Sequence, residues 1–236
     1  MIPIQRIIDK LDSYLASDDK KSAESLLEHW VEEAEKEGDM SGLLSVLNEQ
    51  IGFYRRNRDV EKGQAAIDRA IKIMEQREEE KSFATIYVNI ATTLRSYDED
   101  AMKYYDRAEE LFNKYDLHET YEYAAFLNNR ATALTDLGKN DEAMADLNEA
   151  MKILDHTGGH LTEIALTLAN MAQSEHDRDM IGYYLDRAWD TINHVKERDG
   201  AYAFALTKLA PTFRQYGRRI EADAMMEVVD EIYGRD

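Results

Sequence analysis

One pattern returns roughly every 40 residues along this chain, and it confines the fold to stacked copies of a single unit. With Ala150 as the mark, equivalent residues are Trp30, Ala70, Ala108, Ala188 and Val229, at intervals of 40, 38, 42, 38 and 41 residues. Three positions before each mark stand Leu27, Ile67, Tyr105, Leu147, Leu185 and Met226, and four after stand Ala34, Met74, Phe112, Leu154, Ile192 and Tyr233. All twelve are apolar. Seven positions before the mark the side chains are small (Ala23, Gly63, Ala101, Ala143, Ala222), with Ile181 the exception. Offsets of 3, 4 and 7 lie on one face of an α-helix, so each unit is predicted to end in an amphipathic helix whose small residues allow close approach.

A first helix precedes each of these. It is marked by the stripes Ile7, Leu11, Tyr14; Leu47, Ile51, Tyr54; Tyr87, Ile90, Ala91, Leu94; Leu127, Ala131, Leu134; Leu168, Met171, Ala172; and Leu206, Leu209, Ala210, Phe213. Polar breaks fall between the two helices, at Asp18 and Asp19, Asn57 to Asp59, Asp98 to Asp100 and Gly138 to Asp141, where side-chain oxygens can cap the helix that follows. Gly158, Gly159 and Gly200 punctuate unit boundaries, and Glu78 to Lys81 form a charged connector. No segment alternates as a strand. The expected fold is all-α, an α-solenoid of six helical hairpins, roughly 70% helical. It is read as one repeat domain over 1–236, with units near 1–39, 40–81, 82–120, 121–160, 161–200 and 201–236. A lone hairpin cannot bury its apolar face, so neighbours must complete each other's core.

Charge and composition exclude several classes of function. With 29 basic and 48 acidic side chains the formal charge is -19, a field that repels phosphate backbones and anionic lipid, so neither nucleic acid nor a membrane is an expected partner. The absence of cysteine removes disulfides, thiolate metal sites and a cysteine nucleophile, and a cytoplasmic setting is the expectation. Arg6, Asp9, Lys10 and Asp12 interrupt the isoleucines of the first fifteen residues, which are therefore not read as a signal peptide. Catalytic groups do not converge, so the chain is read as a non-enzyme without cofactor or metal. His156 and His160 are four apart, but Gly158 and Gly159 intervene. Asp98, Glu99 and Asp100 lack the other ligands of a calcium loop, and Ser17 with Lys20 has nothing to accompany it. The pairs Tyr104–Tyr105 and Tyr183–Tyr184 are read as core.

The clearest unit carries Leu127, Asn128, Asn129, Ala131, Leu134, Gly138, Glu142, Ala143, Leu147 and Ala150, echoed by Asn89, Ala91, Leu94, Ala101, Tyr105 and Ala108. These residues resemble tetratricopeptide repeats, in the long form found in kinesin light chain and bacterial peptide-sensing regulators. Nearly the whole chain takes part. The family's usual proline after the second helix is absent, and Arg130 and Gln50 stand where it is usually apolar. The resemblance implies a right-handed superhelix whose inner wall comes from the first helices, and asparagines there that hold peptide backbone.

On that wall the spacing i, i+4, i+7 and i+8 gives Asn48, Gly52, Arg55, Arg56; Val88, Thr92, Arg95, Ser96; Asn128, Thr132, Thr135, Asp136; Ala169, Gln173, His176, Asp177; and Thr207, Pro211, Arg214, Gln215. A neighbouring place reads Glu49, Asn89, Asn129, Asn170 and Lys208. An amide both donates and accepts, so three successive asparagines could pair with the main chain of an extended peptide, or bond a facing helix instead. Arg55, Arg56, Arg95 and Arg214 would select acidic side chains, or bridge to acids of the chain itself. Pro211 is expected to kink its helix. The last helix exposes Met225, Val229, Ile232 and Tyr233 to a second copy, or packs them on the preceding hairpin. The leading expectation is a non-enzymatic protein-interaction module that clasps a peptide or protein segment, with an acidic segment as one candidate. A homodimeric scaffold using the terminal helices and a ligand sensor without an effector domain are the alternatives.

Overall fold

The computed structural model describes residues 1–234, and among these there are twelve α-helices and no strand. About 80% of the chain is helical. The helices divide into two compact units, the first Met1–Asp116 and the second from Leu117 onward. In the first, three hairpins pair α1 (Ile4–Ala16) with α2 (Lys20–Glu37), α3 (Met40–Asn57) with α4 (Val60–Met74), and α5 (Ser82–Ser96) with α6 (Met102–Lys114). In the second, α7 (Tyr121–Asp136) pairs with α8 (Asn140–Thr157), α9 (Leu161–Ser174) with α10 (Arg178–Asn193), and α11 (Gly200–Gln215) with α12 (Arg219–Tyr233). Within each unit successive first helices touch, α1 with α3 and α3 with α5, then α7 with α9 and α9 with α11.

The marked residues are the seam of each hairpin. Ala70, Ala108, Ala150, Ala188 and Val229 are fully buried, as are Ala23, Ala143 and Ala222 seven places earlier. Small side chains at most of these places let two helix axes come together while Tyr105, Phe112 and Leu147 fill the space beside them. The first repeat keeps the expected seam at Ala23, Leu27 and Ala34, but Trp30, at the mark, is half-exposed and its neighbour Val31 is buried.

The turns have a shared device. One residue with positive φ ends the first helix in five of the six hairpins: Asp18, Arg58, Asp98, Gly138 and Gly217. Glycine takes that conformation without strain, whereas a Cβ there costs about 1 kcal/mol. Asp19, Asp39, Asp59 and Asp177 then cap the helix that follows, each accepting a backbone N–H. The expected cap before α8 does not form, because Lys139 occupies the capping place. α11 runs unbroken through Pro211, whose ring is exposed.

Contacts also reach back one hairpin. Tyr97 Oη donates to Asp59 O at 3.3 Å and Tyr216 Oη to Ala172 O at 2.9 Å. A Cβ on Gly63 would overlap that Tyr97 hydroxyl, whereas one on Gly182 in α10 would meet nothing within 4 Å. Alanine ordinarily gains about 0.5–1 kcal/mol over glycine in a helix. Gly182→Ala is therefore expected to raise stability by about that amount, and Gly63→Ala to lower it by about 1–2 kcal/mol. Paired urea melts check the opposite signs.

Candidate functional site

The first helices carry two polar stripes with different duties. One stripe faces the next first helix and bonds it. In the first unit Asn89 on α5 donates through Nδ2 to Asn48 O and Oδ1 on α3, at 2.8 and 3.0 Å. Arg55 Nη1 donates to Asn89 Oδ1 at 2.6 Å, to Thr93 Oγ1 at 3.1 Å and to Asn89 O at 3.4 Å. The second unit repeats the motif between α7 and α9. Asn128 Nδ2 donates to Thr167 Oγ1 at 2.9 Å, Asn170 Nδ2 to Asn128 Oδ1 at 3.3 Å, and the Thr135 and Ser174 hydroxyls lie 2.8 Å apart. Between α9 and α11, Gln173 Nε2 donates to Thr212 Oγ1 at 2.7 Å. Thr93, Thr167, Ser174 and Thr212 are buried, so these bonds satisfy groups that water cannot reach.

The other stripe is half-exposed or exposed along its length and shares Asn89, Asn170 and Gln173 with the first. On α3 it comprises Ser45, Glu49, Gly52 and Arg56; on α5, Thr85, Asn89, Thr92 and Ser96. In the second unit it reads Ala125, Asn129 and Thr132 on α7, Leu166, Asn170 and Gln173 on α9, and Phe204, Lys208 and Pro211 on α11. Three places thus align across three helices. The first is apolar (Ala125, Leu166, Phe204), the second polar (Asn129, Asn170, Lys208), the third mostly polar (Thr132, Gln173, Pro211). Phe204 is 39% exposed, with the Lys208 ammonium 5.2 Å above its ring. Asn129 bonds only its own helix, Nδ2 to Ala125 O at 2.8 Å, which leaves its carbonyl open. Leu166 and Phe204 were not among the residues expected from the sequence; their spacing of four from Asn170 and Lys208 was the available signal.

The remaining expected residues are scattered over these stripes. Asn48, Arg55 and Asn128 sit on the inter-helix stripe, and Arg56 on the open one, with Asp12 near it. Arg95 is half-buried at the end of α5. Arg214 is exposed and bonds Asp223 of α12 at 2.8 Å. Asn89 belongs to the first unit, Asn129 and Asn170 to the second. Met225 and Val229 are buried inside the α11–α12 hairpin, and Ile232 and Tyr233 are half-buried, the Tyr233 hydroxyl donating to Gly200 O at 3.3 Å. His160 stacks on Tyr121 at 4.9 Å. Among the described residues no three His, Asp or Glu side chains are placed to hold a metal ion, and no helix is long and apolar enough to cross a membrane.

Glu49 stands on α3 at the place where α5, α7 and α9 carry asparagine. Burial foremost, and the charge of Asp12 next, raise its carboxyl above the usual range, with a bond from Asn48 acting the other way. The folded chain therefore holds this proton more tightly than the unfolded chain. The resulting stability is full below the ordinary carboxylate range and lost as pH rises through the raised value, so the ionised form is a cost at neutral pH. Glu49→Gln is expected to be more stable at neutral pH by on the order of 1 kcal/mol. The gain should vanish in acid, as thermal melts at the two pH values would show.

No family model matches the sequence, and no curated protein matches it. Solved structures do. BtubC (BKLC) from P. vanneervenii is similar at 18% identity and a TM-score of 0.58, over 99% of this chain and 92% of that one. A kinesin-light-chain type protein of nearly identical TPR-like repeats, from Podosopora anserina, is similar at 16% identity and a TM-score of 0.55, over 80% of this chain and 94% of that one. The fold is that of a tetratricopeptide-like helical repeat protein.

Proposed function

We propose that the protein is a non-enzymatic interaction module that holds a peptide, or an extended segment of another protein, on the wall of its first helices. The observation that carries this reading is the alignment, in the second unit, of an apolar row (Ala125, Leu166, Phe204) beside an amide row (Asn129, Asn170). An extended segment laid across three helices would press apolar side chains onto the first row and offer its main chain to the second. Each amide bond contributes about 1 kcal/mol, and each apolar side chain covered about 2. Together these give a grip between millimolar and micromolar, which matches a surface that meets its partner transiently. Lys208 adds a positive charge at the edge of the apolar row.

Selection of a random displayed peptide library on the purified protein tests the reading. Recovered peptides are expected to bind with a Kd of about 1–100 μM. They should bind the Leu166→Glu, Phe204→Glu double variant more weakly by about tenfold or more, while its helical signal and melting temperature match those of the parent. Peptides that bind both proteins equally would refute the assignment of the wall.

A further inference from the structure

Arg55 holds a charge that the first unit leaves without a counter-ion. Its three bonds all run from Nη1 to neutral oxygens, the carbonyl and amide oxygens of Asn89 and the hydroxyl of Thr93. Among the described residues no carboxylate pairs with it, in a chain of 48 acids. Other arginines of the first helices do face acids: Arg56 has Asp12 near it, and Arg214 bonds Asp223. Burial pulls the Arg55 guanidinium down from its ordinary value, the direction taken by a cation short of opposite charge.

The wall is notched beside this group. Gly52 lies one turn earlier on α3; a Cβ there would stand 4.0 Å from Arg55 Nη2 and 3.8 Å from Asn89 Nδ2. Glycine therefore leaves the place beside Nη2 without a side chain. No bond is made by Nη2 or Nε, which together form the edge of the guanidinium that matches two oxygens of one anion. Nearby charge is mixed: Glu49 stands one turn before Gly52, and Arg56 four residues after it. At physiological salt, screening over about 8 Å makes these neighbours matter more than the net charge of the chain.

We propose that the notch formed by Gly52, Arg55 and Asn89 is an oxyanion seat, which takes a carboxylate of an acidic segment or a free phosphate through Nη2 and Nε of Arg55. The seat shares no residue with the rows of the second unit, so either assignment can fail alone. Acetylated oligoglutamate and, separately, inorganic phosphate are titrated into the full chain at constant ionic strength. Calorimetry and the Arg55 Nε–H resonance are followed. At least one probe is expected to bind and move that resonance. Binding should fall about tenfold to a hundredfold in Arg55→Gln and in Gly52→Leu, and rise in Glu49→Gln. Gly52→Leu fills open space, so its melting temperature should not fall below that of the parent, which keeps the test valid should Arg55→Gln unfold. A response to oligoglutamate alone identifies an acidic segment as the source, and a response to phosphate alone a free anion. If neither probe moves the Arg55 resonance, or if Gly52→Leu binds as the parent does, the seat does not exist.

Discussion

Asp146→Ala is expected to destabilise the second unit by about 3–5 kcal/mol. Its carboxylate meets Arg130 side-on, Oδ2 to Nε at 2.7 Å and Oδ1 to Nη2 at 2.8 Å, with only 11% and 15% of the two side chains exposed. The guanidinium also lies 4.7 Å above the ring of Phe126. The pair joins α7 to α8 at a place the repeat ordinarily fills with an apolar residue. Truncating the acid strands a cation between two helices, where desolvation is no longer offset by attraction. Removing both charges leaves nothing stranded, so Arg130→Met with Asp146→Leu should stay within about 1 kcal/mol of the parent or exceed it. Urea unfolding gives the loss, and hydrogen exchange of α7 and α8 amides shows where it falls. A loss below about 1 kcal/mol for Asp146→Ala would mean that water screens the pair.

Asn89→Ala and Asn129→Ala should differ sharply, although the two residues hold the same place in the repeat. Asn89 accepts from Arg55 and donates to both oxygens of Asn48. Truncating it leaves a guanidinium and a carbonyl poorly satisfied between α3 and α5, at a cost of about 2–4 kcal/mol. Asn129 bonds the carbonyl of Ala125 on its own helix and nothing on a neighbouring one, so its loss should cost less than about 0.5 kcal/mol. Thermal melts of the two variants decide the matter. Equal losses would show that both asparagines belong to the framework, and the amide row would then have less to offer a partner.

The contrast between these asparagines marks how far the sequence could be read. The hairpins were legible because their seams favour small residues: Ala108, Ala150 and Ala188 recur, fully buried, where two helices pack together. Polar residues obey no such rule. An amide at a given place in the repeat faces a neighbour or faces water according to how first helices cross, which packing sets and spacing alone does not reveal. The expected wall, counted from Asn48 and Asn128, therefore mixed the stripe that bonds the next helix with the stripe that is open. Half-exposed Leu166 and exposed Phe204 were not legible because apolar residues on an open face look like core in a periodic pattern. The half-exposed Trp30 in α2 and the uncapped start of α8 at Lys139 were not legible for a related reason, since a departure at one residue costs little in a single hairpin.

The most direct measurement of the proposed function is site-specific photo-crosslinking with a peptide recovered by selection. Benzoylphenylalanine is placed at Thr132 or Gln173 on the open stripe, and at Asn148 on the exposed side of α8. The account predicts covalent capture from Thr132 and Gln173, competed by unlabelled peptide, and none from Asn148. Capture from Asn148 alone, or equally from all three, would contradict it.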